Sequence, residues 1–175
     1  GVRVIWLKGE TDMLGALEEV ESFGEFAKRN NAVASTEVKS FEHLICTEQL
    51  SRRLGFKVGE ELIRVVRVRS LNGSARQVDH GYFLASVAKG LTPEIAADSI
   101  YGYLEHKRGV KVMASRRTVS VELANDEDCS YLDLGKYNCV AVMESQSYTS
   151  DGILFEVTHA RTHPEIFHYR VNSKR

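Results

Sequence analysis

The sequence predicts an α+β domain, a mainly antiparallel β-sheet flanked by helices, and three observations carry that prediction. Asn72-Gly73 and Ser150-Asp151-Gly152 each separate two segments of alternating polarity, and Asn-Gly in that setting is among the strongest short hairpin signals. The two halves of the chain share one outline: a strand, a short helix, then two strands joined by one of those turns. The remaining helices are short and stand before or between the halves. That pattern covers one antiparallel sheet with helices instead of alternating with a parallel one.

Each element has its own local warrant. Ser22-Phe23-Gly24-Glu25 has the S-x-x-E form of a capping box, predicting a helix that runs to about Arg29. Residues 33–41 read as a strand. Residues 47–54 read as a helix, capped by Thr47 and stopped by Gly55, where a left-handed residue is wanted. Segments 61–71 and 75–84 form a strand pair about Asn72-Gly73. A helix from about 99 to 108 is capped by Asp98 or Ser99 and ended by Gly109. The second half then repeats the outline. A strand at 111–123 leads to a helix at 125–134, capped by Asn125 and stopped by Gly135, and strands at 138–148 and 152–162 follow. No low-complexity tract interrupts the chain and only Pro93 and Pro164 punctuate it, so no internal boundary is expected.

A chain of 175 residues with 43% hydrophobic content is long enough for one real core. Lys plus Arg total 23 against 24 for Asp plus Glu, a formal net charge of -1. That balance excludes a polybasic nucleic-acid arm and an acidic solvating tail, but leaves room for an anion site inside a cleft. No apolar run approaches the roughly 18 residues of a membrane span, and GVRVIWLKGETDML lacks a signal-peptide pattern. A soluble, cytoplasmic protein without membrane contact is expected. Cys46, Cys129 and Cys139 are odd in number, far apart, and form no CxxC pair, so neither a disulfide nor a zinc site is expected. His159 and His163 stand four apart, but Pro164 argues against a helix there. No metal and no cofactor are expected.

The informative segment is Leu62-Ile-Arg-Val-Val-Arg-Val-Arg-Ser70. On a strand Ile63, Val65, Arg67 and Arg69 share a face, with the two arginines about 7 Å apart. If the hairpin closes at Asn72-Gly73, Arg76 faces Arg69 across the ladder on the same side, and like charges directly opposite are unfavourable. Solvent, a carboxylate or a bound anion must relieve that crowding. One reading is a wetted sheet face with snorkelling arginines; the other is a phosphate or carboxylate clamp, since guanidinium forks suit such oxyanions. The Ser22 and Ser99 helices open with hydroxyls and free N–H groups, either simple caps or anion seats. Glu156, in LFEVTHAR, is either a buried acid-base, or a solvent-facing strand residue or partner for Arg161. No GxSxG, P-loop or GxGxxG is present.

The order SFGEFA, LSRRLGFKVGEELIRVVRVRSLNG, DSIYGYLEHKRGVKV and FEVTHAR, over nearly all of residues 20–171, resembles the UTRA domain. This is the effector-binding domain of GntR-type (HutC subfamily) bacterial transcriptional repressors. The resemblance implies the chorismate lyase-like fold and a domain at 20–175. It also implies that residues 1–19 are the tail of an absent winged helix-turn-helix domain plus linker, GVRVI being similar to a last wing strand. It implies a non-enzymatic homodimer that binds a small effector, often a phosphosugar, and meets operator DNA only through the missing N-terminal domain. By position, Ser22 and Phe23 match the loop that meets the ligand, and Arg67 and Arg69 the pair that holds its phosphate or carboxylate. Ser99 and Tyr101 match an SxY pair, Glu156 an acid that holds sugar hydroxyls, and Asp79 an acidic strand position near the pocket. Thr162 stands about where phosphosugar-binding members often have tyrosine. SIYGYLE, NDEDCSYLDL and THARTHPEIFHYRV are most similar to trehalose operon repressors, which implies trehalose 6-phosphate, with an amino-sugar phosphate as the other candidate. The alternatives from other classes are a chorismate lyase-like enzyme on the same fold and a dimerisation module without an effector.

Overall fold

Capping and turn chemistry delimit most elements. The computed structural model describes residues 21–169 and the backbone of Leu14–Gly15. In chain order it holds β1 (Leu14–Gly15), α1 (Phe23–Arg29), β2 (Ala34–Ile45), α2 (Glu48–Leu54), β3 (Glu61–Leu71) and β4 (Ser74–Leu84). Then come α3 (Pro93–Asp98), α4 (Ile100–His106), β5 (Val112–Leu123), α5 (Asp126–Tyr131), β6 (Cys139–Thr149), β7 (Leu154–Thr162), a 3-10 turn at Pro164–Ile166 and β8 (His168–Tyr169).

The α1 start is a reciprocal capping box: Glu25 N–H donates to Ser22 Oγ and Ser22 N–H to the Glu25 carboxylate. Thr47 caps α2 and Gly55, at φ 89, ends it. Asn72 and Gly73 take φ 51 and 82, both positive, as a two-residue type I′ turn requires.

Six strands form one antiparallel sheet in the order β2-β3-β4-β7-β6-β5. The two halves of the chain therefore meet at the β4–β7 seam, with their first strands at opposite edges. A separate parallel pair joins β1 to β8. Helices α3 and α4 press Ala96, Ile100 and Leu104 into the core with Ile63, Val65, Phe83 and Phe155. Leu132 and Leu134, just beyond α5, pack on Val66, Val68, Val78, Val140 and Val142. Each valine, leucine, isoleucine or phenylalanine among them contributes about 1.5–3 kcal/mol when fully buried.

Several boundaries differ from the sequence reading. The first long strand continues to Ile45, past the expected end at 41. The expected helix at 125–134 stops at Tyr131, because Leu132 turns to extended backbone (ψ 141) and enters the core; Gly135 serves the following turn. The helix expected at 99–108 spans Ile100–His106, and a second helix precedes it, capped by Thr92 with Pro93 in its first turn. Ser99 breaks the two apart at φ -144, ψ 107. The assignments made for residues 1–19 lie outside the described residues, except for the backbone of Leu14–Gly15. Among the described residues, no helix is long and apolar enough to cross a membrane.

Candidate functional site

The β3–β4 register builds the site. Arg67 stands opposite Asp79 and Arg69 opposite Gln77. The expected Arg69–Arg76 pairing does not form, because the register shifts between Arg69 and Ser70. The shift leaves Arg76 as the extra residue of a bulge, and a one-residue slip exchanges the two faces of a strand. Without it Val78 would face Arg67. With it, Asp79 does, and Arg76 instead reaches Glu165 at 3.2 Å.

Asp79 is the carboxylate that relieves the crowding. Its Oδ2 accepts from Arg67 Nη2 at 2.5 Å, from Arg69 Nη2 at 2.9 Å and from Arg69 Nε at 3.3 Å. Arg67 and Asp79 are 4% and 3% exposed, so this is a buried cluster and not a wetted face. Burial alone would raise the Asp79 carboxyl, but Arg67 and Arg69 outweigh it and hold it below the usual carboxylate range. Burial, and then Arg67, bring Arg69 down to about 10. Arg67 Nη1 donates weakly to the Ala96 carbonyl at 3.5 Å, while its buried Nε has no hydrogen-bond partner. Arg69 also lies over the Phe23 ring, 5.1 Å from its centroid.

An acidic end faces this cationic end. Glu156, on β7 opposite Ser147 of β6, is buried and accepts a hydrogen bond from the Tyr101 hydroxyl. That hydroxyl also contacts Ser147 Oγ at 3.1 Å. Burial raises the Glu156 carboxyl above its ordinary value; burial and the adjacent Glu156 push the Tyr101 phenol well up. Glu156 is not the partner of Arg161, which points to the other sheet face and donates to Asp128, Glu122 and the Leu123 carbonyl. Ser99 caps α4 by accepting from Gly102 N–H at 3.0 Å.

Ser22, Phe23, Arg67, Arg69, Asp79, Ser99, Tyr101 and Glu156 all line a single cleft of about 180 Å³ between the sheet and the starts of α1 and α4. Gln77, Arg117 and Ser147 line it too and were not singled out from the sequence. Ser147 becomes visible only once the β6–β7 register places it opposite Glu156. Thr162 is outside the lining; its hydroxyl accepts from Gln77 Nε2 at 2.9 Å. A larger hollow, about 580 Å³, lies on the opposite face. There Arg161 is saturated by two carboxylates, Arg53 bonds Tyr82, and His80 and His159 each stand beside a glutamate. The smaller cleft is the better candidate, because it combines a buried and a half-buried guanidinium, Arg67 and Arg69, sharing one carboxylate, with an unsatisfied donor. That arrangement suits an oxyanion. Among the described residues no His, Cys, Asp and Glu group is placed to hold a metal.

The family model for the UTRA domain matches residues 29–168. The HTH-type transcriptional regulator TreR of Bacillus subtilis (strain 168) is 28% identical over 148 residues, 85% of this chain and 62% of that protein. The chain thus spans less than two thirds of that regulator's length. The solved effector-binding domain of the B. subtilis trehalose repressor superposes with a TM-score of 0.71 at 27% identity, covering 81% of this chain and 98% of that one. PhnF from Mycobacterium smegmatis superposes with a TM-score of 0.81 at 18% identity, covering 94% and 73%, a likeness of fold.

Proposed function

The chain belongs to the UTRA domain family, and from that membership we propose that it is the effector-sensing and dimerisation domain of a bacterial GntR-type transcriptional regulator. It binds a small phosphosugar and thereby controls DNA binding by a winged helix-turn-helix domain N-terminal to it. The observation that carries this reading is the pairing of the buried Arg67 and half-buried Arg69 guanidiniums on Asp79, with Arg67 Nε unsatisfied. A buried donor without a partner costs about 1–3 kcal/mol, and a phosphate oxygen in the cleft would recover it.

The polarity of the cleft supports a ligand with an anion at one end and hydroxyls at the other. The first half of the chain supplies Arg67, Arg69 and Asp79; the second supplies Glu156 and Ser147. In this reading the arginines hold the phosphate and Asp79 aligns them. Ser22 and Ser99 bring backbone N–H groups to the rim, and Phe23 walls the cleft. Tyr101 and Glu156 meet the sugar hydroxyls.

Likeness to the trehalose repressor makes trehalose 6-phosphate the first effector to test. The cleft, about 180 Å³, is below the roughly 300 Å³ at the low end of ordinary ligand pockets. A single sugar ring therefore suits it as it stands, which keeps an amino-sugar phosphate in the comparison, and a disaccharide requires it to widen. Calorimetry with trehalose 6-phosphate, glucosamine 6-phosphate, the unphosphorylated sugars and inorganic phosphate tests the reading. Binding by a phosphosugar but not by its plain sugar is expected. No binding by any phosphorylated compound, or release of pyruvate from chorismate, overturns it.

A further inference from the structure

Arg64 stands on β3 three residues before Arg67, so strand alternation puts it on the opposite face, where it lines the larger hollow. Among the described residues, Arg67 Nε and Arg64 Nε are the only buried side-chain nitrogens or oxygens without a hydrogen-bond partner. One lines each hollow. The signal that marks the cleft is therefore repeated on the reverse of the sheet.

The register gathers cations there. Arg64 stands opposite the buried Tyr82 of β4. Arg53, in the last turn of α2, donates from Nη2 to the Tyr82 hydroxyl at 2.9 Å and lies 5.6 Å from the centre of its ring. Two guanidiniums thus flank one phenol. Among the described residues no carboxylate pairs with Arg53, and Arg64 reaches Glu42 only from Nη1, at 3.4 Å.

The other charges of the hollow are already engaged. Arg161 donates to Asp128 and Glu122. His80 and His159 face each other across the β4–β7 ladder, in the row next to Tyr82. Glu127 stands 2.8 Å from His80, and Glu144 3.9 Å from His159. The Tyr82 row itself continues through Val157 and Gln146 to Arg116 on β5. That is four strand spacings, or about 19 Å, from Arg64, too far for one small anion to meet both.

We propose that the reverse face holds a second binding site, in which Arg53 and Arg64 take the phosphate or carboxylate group of a small organic anion. Tyr82 and Val157 form the floor against which the body of that ligand lies. A guanidinium with its Nε edge free is what a bidentate oxyanion contact needs. One long contact holds the Arg64 head, so the edge is able to turn toward a ligand. The hollow, about 580 Å³, lies within the roughly 300–1,000 Å³ of ordinary ligand pockets. Arg64 and Arg67 share a strand and serve opposite faces, so this ligand and one in the cleft bind without touching.

The test uses the whole chain carrying Arg67→Ala, which weakens the hold of the cleft on an anion, titrated calorimetrically with pyrophosphate and with citrate. At least one of the two probes should bind. On the same background Arg53→Gln, at an exposed helix position, and Arg64→Lys, which keeps the charge but not the fork, should each weaken that probe at least about tenfold. Circular dichroism spectra should stay unchanged. In the ¹⁵N-labelled Arg67→Ala chain the Arg64 Nε signal, assigned by its loss in Arg64→Lys, should shift as the probe is added. Tighter binding of pyrophosphate than of citrate supports a phosphate-bearing ligand, and the reverse order a carboxylate. Binding of neither probe, binding that neither substitution weakens, or a shift confined to Arg69 overturns the site.

Discussion

Arg67→Ala separates the two jobs that the cleft assigns to one guanidinium. In the free protein Arg67 is one of two cations on Asp79. Breaking a buried pair costs about 3–5 kcal/mol when the abandoned partner stays uncompensated. Asp79 is not abandoned here, because Arg69 keeps its contacts at 2.9 and 3.3 Å. The expected loss is therefore about 1–3 kcal/mol, that of one buried polar partner, or roughly 3–10 °C in melting temperature for a chain of this size. One carboxylate offsets only one of the two positive charges and Arg67 still depresses Arg69, so relief of that crowding offsets part of the loss.

Effector binding should suffer more. The substitution removes a desolvated cation from the phosphate, and such a loss costs about 2–4 kcal/mol, roughly 30- to 1000-fold in affinity. Arg67→Lys should fall in the same range, because a point charge cannot serve Asp79 and a phosphate with one planar fork. The plain sugar should bind weakly to both proteins with little difference between them. Calorimetry on the four combinations of protein and ligand gives the coupling between Arg67 and the phosphate as one number. If folded Arg67→Ala binds the phosphosugar as tightly as wild type, the phosphate is held elsewhere and the clamp reasoning fails.

Asp79→Asn should lower stability in the absence of ligand yet tighten binding of inorganic phosphate. A carboxylate about 5 Å from a phosphate charge repels it by about 3 kcal/mol at an effective dielectric of 20. Weaker phosphate binding by the folded variant would show that alignment of the arginines outweighs that repulsion. Burial raises the Glu156 carboxyl in the folded state. Wild type therefore loses stability as pH rises from the unfolded value, about 4.3, through the folded one. Glu156→Gln, which keeps an acceptor for Tyr101, should melt higher than wild type near neutrality and coincide with it around pH 4; melting curves that stay parallel across that range refute the buried acid. A phosphosugar at 100 times its dissociation constant should stabilise the wild type by about 2.7 kcal/mol, read as a thermal shift that the plain sugar does not reproduce.

What was legible in the sequence follows the range of the interactions involved. Ser22 with Glu25, Thr47 with Leu50, Gly55 with Ser51, and Asn72 with Gly73 act within four residues, and the elements they bound stand where local chemistry puts them. Arg67 and Arg69 share a face because strand alternation requires it, and that too is local. Thr92-Pro93 is an equally local helix start, so α3 too is legible from neighbouring residues. The depth of Arg67, by contrast, depends on α3 lying over the sheet and offering the Ala96 carbonyl, 29 residues away. Glu156 on one strand face was legible; which face, and that Tyr101 and Ser147 would meet it, required the assembled sheet.

The least legible features are two of the four register shifts in the sheet, those of β4 and β7, and they decide the chemistry. In β4 the extra residue is Arg76; in β7 it is Phe155, where the register shifts between Ser147 and Tyr148. Neither residue is a glycine, lies beside a proline or takes a positive φ, so nothing in the local sequence announces the bulge. Counting back from each hairpin turn without the bulge would face Val78 to Arg67 and Phe155 to Ser147. With it, Asp79 and Glu156 take those places. The two acids that the sheet brings to the cleft, Asp79 and Glu156, thus reach it by the same device, once in each half of the chain, in the last strand of each hairpin. The repeated outline sets two similar hairpins side by side at the β4–β7 seam. The cleft owes its opposite ends to what differs between them: arginines beside the acid of the first hairpin, hydroxyls beside the acid of the second.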